Sequence, residues 1–174
     1  MKLLFVSGMR DVDRKTIVEL ALQRSGRKRE FTIIDFDKIE DVGEDVETLS
    51  DLGSARRLIS KFYERVEKDI ITRLKEQSGS LIVSGYLTFK TRHGYIRAVP
   101  DDFFHAFKPD TVVLLERHPD FGEKADHEKL EQQQINRYFG TIYSSFSGSS
   151  FKIIRFKEKR MLEAVNELSD IIRY

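Results

Sequence analysis

Short apolar segments alternate along the chain with longer segments in which apolar residues recur every three or four positions. Five segments have the length and composition of buried strands, at residues 2–7, 31–36, 80–84, 111–116 and 150–154. Because each is apolar almost throughout, both faces of the sheet they form must be covered. Strands alternating with helices therefore predict an α/β fold of three layers, α/β/α, around a five-stranded parallel sheet.

Helical spacing of apolar residues is clearest in three places after the second strand. It predicts helices over 55–74, 130–146 and 161–172, with Ser54 as the N-cap of the first. Parallel sheets bind ligands at the carboxyl ends of their strands. We therefore expect function in the loops that follow the strands, after Ser7, Phe36, Ser84, Glu116 and Ile154.

Composition narrows the chemistry that this chain can carry. Its 174 residues predict one domain, and the absence of cysteine excludes disulfides, thiolate zinc sites, iron–sulfur clusters and cysteine nucleophiles. With 30 Lys and Arg against 29 Asp and Glu, no overall field attracts nucleic acid or membrane. The sequence shows neither a signal peptide nor an apolar run that would cross a bilayer, so we expect a cytoplasmic protein without membrane contact.

The loop after the first strand has the arrangement of a P-loop, in which a strand, a short loop and a helix present backbone amides to phosphate. Gly8, Arg14, Lys15 and Thr16 are the candidate nucleotide-binding residues, with Arg14 at the motif's lysine position and Lys15 one residue beyond it. Acids stand at two positions where the motif has glycine, Asp11 and Asp13. A carboxylate ~4 Å from a phosphate charge costs about 4 kcal/mol at an effective dielectric constant of 20. The alternative interpretation is that Asp13 caps the first helix and the bases are solvated.

Later segments carry a resemblance that covers the whole chain. Residues 80–100 contain Lys90-Thr91 and Gly94-Tyr95, and residues 108–116 begin with Lys-Pro-Asp and continue as a strand ending in Glu116. Residues 134–143 contain Asn136-Arg137, and residues 147–154 form a last strand after Gly148. In order and spacing these segments, together with the first loop, resemble the archaeal-type adenylate kinases. That family has the P-loop nucleoside monophosphate kinase fold.

The resemblance implies transfer of a phosphoryl group from ATP with Mg²⁺ to AMP, and it assigns roles to particular positions. Arg137 and Lys15 would be catalytic, and Lys90, Tyr95 and Gly85 would bind the monophosphate substrate. A substrate-side segment is expected at about 37–75 and a short lid at about 117–127. Family resemblance also implies a homotrimer.

Several positions depart from the family pattern, and the chemistry of each departure weakens phosphate binding. The Walker A loop is degenerate, Ser84 replaces the acid at the end of the third strand, residues 48–52 contain no base, and Arg117 is the lid's only arginine. We therefore expect lost or weak phosphoryl transfer and at most weak binding of ATP with Mg²⁺. No metal ligands are assigned.

Two other functions remain open on the sequence. One is an active nucleotide kinase with a rebuilt phosphate site, in which Asp11 or Asp13 holds the metal. The other is a non-enzymatic factor that binds RNA or an acidic protein through basic residues near the end of the first helix and in the second. These residues are Arg24, Arg27, Lys28, Arg29, Arg56, Arg57 and Lys61.

Overall fold

Seven strands and five helices are present in the computed structural model, which describes residues 1–35, 51–76, 79–118 and 127–174. The strands are β1 (Leu3–Gly8), β2 (Phe31–Asp35), β3 (Ser80–Ser84), β4 (Thr88–Thr91), β5 (Gly94–Arg97), β6 (Thr111–His118) and β7 (Ser150–Lys157). The helices are α1 (Arg14–Ser25), α2 (Leu52–Glu76), α3 (Asp101–Phe107), α4 (His127–Ser147) and α5 (Met161–Arg173), the last preceded by a 3₁₀ turn (Glu158–Arg160).

The main sheet has five parallel strands in the order β2-β3-β1-β6-β7, which confirms the predicted parallel sheet. Strand β1 lies at its centre, between β3 and β6, and all six of its residues are buried. Because the strands are parallel, their carboxyl ends meet at one edge of the sheet. The loop after β1 is therefore placed beside the ends of β3 and β6.

Alternate side chains of β1 enter different layers of the molecule. Leu4 and Val6 pack in a core with helices α1 and α5, whereas Leu3 and Phe5 pack in a second core with helices α2, α3 and α4. This alternation follows from the two-residue period of a strand. It gives the predicted α/β/α arrangement of three layers.

An antiparallel hairpin, β4-β5, stands between β3 and α3, where the sequence had indicated only a loop. Its four-residue strands are too short to give a clear alternating pattern. Two buried hydrogen bonds join the hairpin region to α4. The Thr88 hydroxyl donates to the Asn136 side-chain oxygen at 2.7 Å, and the Tyr143 hydroxyl donates to the Val99 carbonyl at 2.6 Å.

Helix α2 begins earlier than predicted, and Ser54 is not its N-cap. The helix begins at Leu52, and the Asp51 carboxylate accepts hydrogen bonds from the backbone N–H groups of Gly53 and Ser54, both at 2.9 Å. The carboxylate accepts hydrogen bonds from two amides of the first turn that would otherwise lack an acceptor, and its negative charge is stabilised by the positive end of the helix dipole. Asp51 therefore caps the helix in place of the predicted serine.

Apolar residues of α4 lie on more than one side of the helix. Tyr143 is buried in the core, but Tyr138, Ile142 and Phe146 are exposed. All four belong to the apolar spacing that predicted this helix. The fold buries only the side of α4 that faces the sheet and α3.

Two predicted functional segments lie partly outside the described residues. These are residues 37–50 of the substrate-side segment and residues 119–126 of the lid. Within the described ranges, no helix combines the length and apolar character needed to cross a bilayer.

At Gly140, helix α4 passes so close to β7 that a side chain would not fit between them. A Cβ atom there would lie 2.5 Å from two ring carbons of Phe151. We expect Gly140→Ala to reduce the free energy of unfolding by about 1–3 kcal/mol through overpacking, measured by urea denaturation.

Two comparison variants separate steric crowding from a general effect on the helix. Ser145→Ala, at an exposed position of the same helix, should change stability by less than about 0.5 kcal/mol. Adding Phe151→Leu to Gly140→Ala should recover part of the loss. No recovery would show that the Phe151 ring is not the cause.

Candidate functional site

A cavity of about 560 Å³ opens at the carboxyl edge of the sheet, where three elements converge. The β1-α1 loop, the β4-β5 hairpin and the first turns of α4 form its walls. It is lined by Met9, Arg10, Asp11, Lys90, Thr91, Arg92, Glu128, Lys129 and Gln132. Four of these residues are basic and two are acidic, so the cavity has an excess of positive charge. Such a cavity favours an anionic ligand.

Backbone amides of the β1-α1 loop are engaged within the loop itself. The N–H of Val12 donates to the Met9 carbonyl at 3.1 Å, and the N–H of Arg14 donates to the Val12 carbonyl at 2.8 Å. The N–H of Thr16 donates to the Asp13 carboxylate at 3.1 Å. A phosphate-binding loop instead leaves such amides pointing at the anion. The predicted capping role of Asp13 is confirmed, and the amides of Val12, Arg14 and Thr16 already have acceptors within the chain.

Arg14 is folded into the loop and is 1% exposed. Its Nη1 atom donates to the Gly8 carbonyl at 2.8 Å, and its guanidinium lies 4.1 Å from the centre of the Tyr86 ring. A cation over an aromatic face is stabilised by the ring quadrupole. Arg14 is therefore neither the solvated base of the alternative interpretation nor a residue that lines the cavity.

Gly8 has a steric role rather than a conformational one. A Cβ atom at this position would lie 3.1 Å from the Leu115 carbonyl oxygen and 3.3 Å from Cγ of Arg14. Within the described residues, positive φ angles at glycine occur elsewhere, at Gly26, Gly94 and Gly148. Gly8 thus permits Arg14 to pack against the end of β1.

Asp11 projects from the loop towards two bases on other elements. Its Oδ2 atom lies 3.5 Å from Nε of Arg117 and 3.4 Å from Nζ of Lys129. Arg117 also pairs with Glu158 at 2.7 Å. The acid that replaces a motif glycine is therefore neutralised by a base at the end of β6 and by one in the first turn of α4.

Lys90, the predicted substrate-binding base, lines the cavity and forms an ion pair with Glu128. The hydrogen bond to the Glu128 carboxylate raises the pKa of Lys90, so the ammonium stays charged at neutral pH. The Tyr95 hydroxyl donates to Glu131 at 3.3 Å. Two side chains assigned to the monophosphate are therefore directed to acids of α4.

Arg137, the predicted catalytic arginine, donates two hydrogen bonds to one buried carboxylate. Its Nε and Nη2 atoms donate to the two oxygens of Glu116 at 2.6 and 2.7 Å, and Arg155 approaches the same carboxylate at 3.4 Å. Glu116 is 3% exposed. The hydrogen bonds to Glu116 raise the pKa of Arg137. In this geometry the guanidinium neutralises a charge that would otherwise be buried alone.

Mg²⁺ bound with a nucleotide would need hard oxygen ligands, for which carboxylates are best suited. At the carboxyl end of β3 stands Ser84, whose buried hydroxyl has no hydrogen-bond partner among the described residues. The acid in register with it, Asp35, is on β2, one strand further from the β1-α1 loop. In the described ranges no three acids or histidines are grouped to hold a metal. The residues at this strand end do not fit the ion.

The remaining predicted residues are not brought together in one cavity. Lys15 lines a separate cavity of about 220 Å³ with Asp35 and Ser84, and Tyr95 lines a third, of about 460 Å³. Gly85 is buried, and its N–H donates to the Val6 carbonyl at 3.0 Å. Of the assigned residues, Lys90 alone lines the cavity formed by the loop, the hairpin and α4.

The acids that pair with the predicted bases were not assigned a role from the sequence. Glu116 lies near the end of β6 and Glu128 in the first turn of α4, and the sequence pattern of neither position indicates which base it pairs with. Lys90 and Glu128 are 38 positions apart, and Glu116 and Arg137 are 21 apart. Only the folded chain shows that these charges meet.

The basic residues proposed for RNA or an acidic protein do not form one surface. Helix α1 packs on one face of the sheet and α2 on the other, which separates the bases near Arg27 from those near Arg56. Nη1 of Arg27 donates to the Ile172 carbonyl at 2.7 Å and its guanidinium pairs with Glu30. Nη2 of Arg173 donates to the Arg24 carbonyl at 2.7 Å. These contacts hold the C-terminal helix in place, and binding of RNA or an acidic protein by these bases stays a prediction.

The sheet order, the layers on both faces and the strand–loop–helix at β1 are consistent with a P-loop nucleoside monophosphate kinase fold. No protein-family model matches the chain.

Similarity to named proteins extends over nearly the whole chain. It is 28% identical over 184 residues to the adenylate kinase of Pyrococcus furiosus and 27% identical over 184 residues to that of Pyrococcus abyssi, each match covering 96% of this chain and 93% of the relative. It is 23% identical over 189 residues to the adenylate kinase of Methanoculleus marisnigri, covering 99% of this chain and 98% of the relative. The chain is therefore a divergent adenylate kinase-like protein.

The contact between Arg137 and Glu116 can be tested as a stabilising interaction. We expect Arg137→Met to lower the free energy of unfolding by about 2–4 kcal/mol, because it leaves a buried carboxylate with one distant partner. Urea denaturation at neutral pH measures the change.

Arg155→Met is the matched variant, since Arg155 contacts the same carboxylate at 3.4 Å rather than at 2.6 Å. Its effect should be below about 1 kcal/mol, because the Arg155 side chain is 49% exposed and its contact with Glu116 is longer. Equal effects of the two substitutions would contradict a special role of Arg137.

Proposed function

We propose that this chain is an adenylate kinase-like protein in which phosphoryl transfer is lost or weak and nucleotides bind at most weakly. One observation carries the proposal: bases assigned to phosphate contact acceptors of the chain itself. Arg14 contacts the Gly8 carbonyl, Lys90 contacts Glu128, and Arg137 contacts Glu116.

A nucleotide would have to displace these acceptors before its phosphates could use the bases. The largest cost falls on Arg137, because moving it away leaves Glu116, which is 3% exposed, without its two short hydrogen bonds. Lys90 and Glu128 are largely exposed, so their pair costs much less to separate. The loop amides supply little compensation, since those of Val12, Arg14 and Thr16 already have acceptors.

Phosphoryl transfer requires charge stabilisation of the transferring group by bases and a metal ion at the same time. Here Arg137 is bound to Glu116, and Ser84 stands at the strand end where the family has an acid. The loop also carries Asp11 and Asp13. Loss of a single arginine clamp in such enzymes reduces the rate by on the order of 10³. The combined changes support a protein whose turnover, if measurable, is slow.

The cavity itself favours a second candidate, an active nucleotide kinase with a rebuilt phosphate site. It keeps Arg10, Lys90, Arg92 and Lys129 around a volume of about 560 Å³ at the ligand-binding edge of the sheet. In that candidate Lys15, Lys90 and Arg137 would carry the charge stabilisation.

Isothermal titration with ATP, ADP and AMP in the presence of Mg²⁺ decides between the two candidates. We expect dissociation constants of about 1 mM or weaker, which correspond to binding free energies no better than about −4 kcal/mol. A coupled assay of ADP formation should give a turnover below about 0.1 s⁻¹, against the 1–100 s⁻¹ typical of kinases.

The adenylate kinase of Pyrococcus furiosus serves as the positive control in both measurements. Micromolar binding together with rapid ADP formation would contradict the proposal. In that case Lys15→Ala should abolish turnover if the rebuilt site depends on this exposed lysine.

A further inference from the structure

Asp11 has a position that its sequence neighbours do not explain. Its carboxylate faces Arg117, which follows the buried part of β6, and Lys129, the third residue of α4. The two bases are 106 and 118 positions away in sequence, yet they approach the same carboxylate oxygen. Asp11 and Lys129 both line the large cavity.

Arg117 is held in this position from two sides. Its carbonyl accepts a hydrogen bond at 2.8 Å from Nε2 of Gln133, and its Nη1 atom pairs with Glu158 at 2.7 Å. The side chain is 18% exposed. Because backbone and guanidinium are both anchored, the Nε atom that faces Asp11 is oriented whether or not Asp11 is charged.

The distances from Asp11 to the two bases exceed those of close ion pairs. At 3.5 and 3.4 Å they are longer than the 2.7–2.9 Å of charge-assisted hydrogen bonds. Asp11 therefore forms no close hydrogen bond with either base. A phosphoryl group presents three oxygens and a larger negative charge, so it can accept from both bases at once more readily than one carboxylate oxygen does.

We propose that Arg117 and Lys129 form a phosphoryl-binding subsite at the edge of the cavity, and that the Asp11 carboxylate occupies this subsite as a built-in anion that keeps phosphoryl ligands out. Asp11 is then the residue that determines which ligands the cavity accepts. The subsite deepens the proposed function and rests on it, because it gives a cause for weak nucleotide binding.

The loop is built to hold Asp11 in place. Hydrogen bonds from Val12 to Met9 and from Arg14 to Val12 fix the backbone on either side of it. The backbone at Asp11 is therefore held close to the two bases. A ligand therefore competes with a carboxylate that is tethered close to the two bases at a high effective concentration.

Replacement of Asp11 by its neutral isostere tests the proposal. Binding of inorganic tripolyphosphate, without metal or nucleoside, is measured by isothermal titration at low ionic strength for the wild-type chain and for Asp11→Asn. We expect at least tenfold tighter binding by Asp11→Asn, because the change removes the negative charge that both bases of the subsite face.

Asp13→Asn is the matched control. It removes one negative charge from the same loop, but Asp13 accepts the N–H of Thr16, and asparagine is an equally good cap. Its affinity should stay within threefold of wild type. A gain by Asp13→Asn equal to that of Asp11→Asn would show a general charge effect and overturn the proposal.

A double variant, Asp11→Asn with Arg117→Gln, tests the location of the new affinity. The gain should disappear, since Arg117 supplies half of the subsite. Persistence of the gain would place the anion elsewhere and overturn the proposal. Urea denaturation confirms that each variant is folded, and Asp11→Gly, the residue of the P-loop motif, replaces Asp11→Asn if the latter is not.

The subsite and the proposed function can be refuted independently of each other. Tight ATP binding by the wild-type chain would refute the proposed function alone, because the comparison with Asp11→Asn still measures the effect of Asp11. Equal affinities of wild type and Asp11→Asn for tripolyphosphate, including no detectable binding by either, would refute the subsite and leave weak nucleotide binding in place.

Discussion

Glu116 is a carboxylate almost without solvent contact at the end of a central strand, and its charge has to be balanced by the chain. Arg137 of α4 provides two short hydrogen bonds and Arg155 of β7 a longer one. This interaction joins the sheet to α4. The same helix carries Asn136, which bonds the hairpin at Thr88, and Lys129, which approaches Asp11. The geometry of the cavity therefore depends on how α4 is held.

Charge pairing within the chain involves bases that the family resemblance assigns to phosphate. An enzyme that transfers phosphoryl groups keeps bases and amides ready for an anion that arrives with the substrate. Here the chain supplies the anions itself, with Asp11, Glu116 and Glu128 each facing a base. The amides of the first loop are used by carbonyls and by Asp13. The similarity to archaeal adenylate kinases thus describes the scaffold more closely than the site.

Some local features follow directly from residue chemistry and could be predicted. The capping of α1 by Asp13 is of this kind, because a short acid before a helix satisfies a free amide wherever the helix packs. The choice between Asp51 and Ser54 as the cap of α2 was not predictable, since both are good capping residues three positions apart. The hairpin was missed because its strands are four residues long and the hairpin region is held by contacts of Thr88 and Val99 with a distant helix.

Periodicity alone determined the parallel sheet and its alternation with helices, because a strand buried on both faces must be apolar throughout and an amphipathic helix must repeat every three to four residues. The sequence likewise showed which bases had been lost and that acids had entered the first loop. It could not show where the retained bases point. Arg14 meets the Gly8 carbonyl within the first loop, whereas Lys90 and Arg137 meet carboxylates that are distant in sequence. Those two pairs form only when the hairpin, β6 and α4 have been brought together, so the tertiary structure alone decided that these bases contact acceptors of the chain.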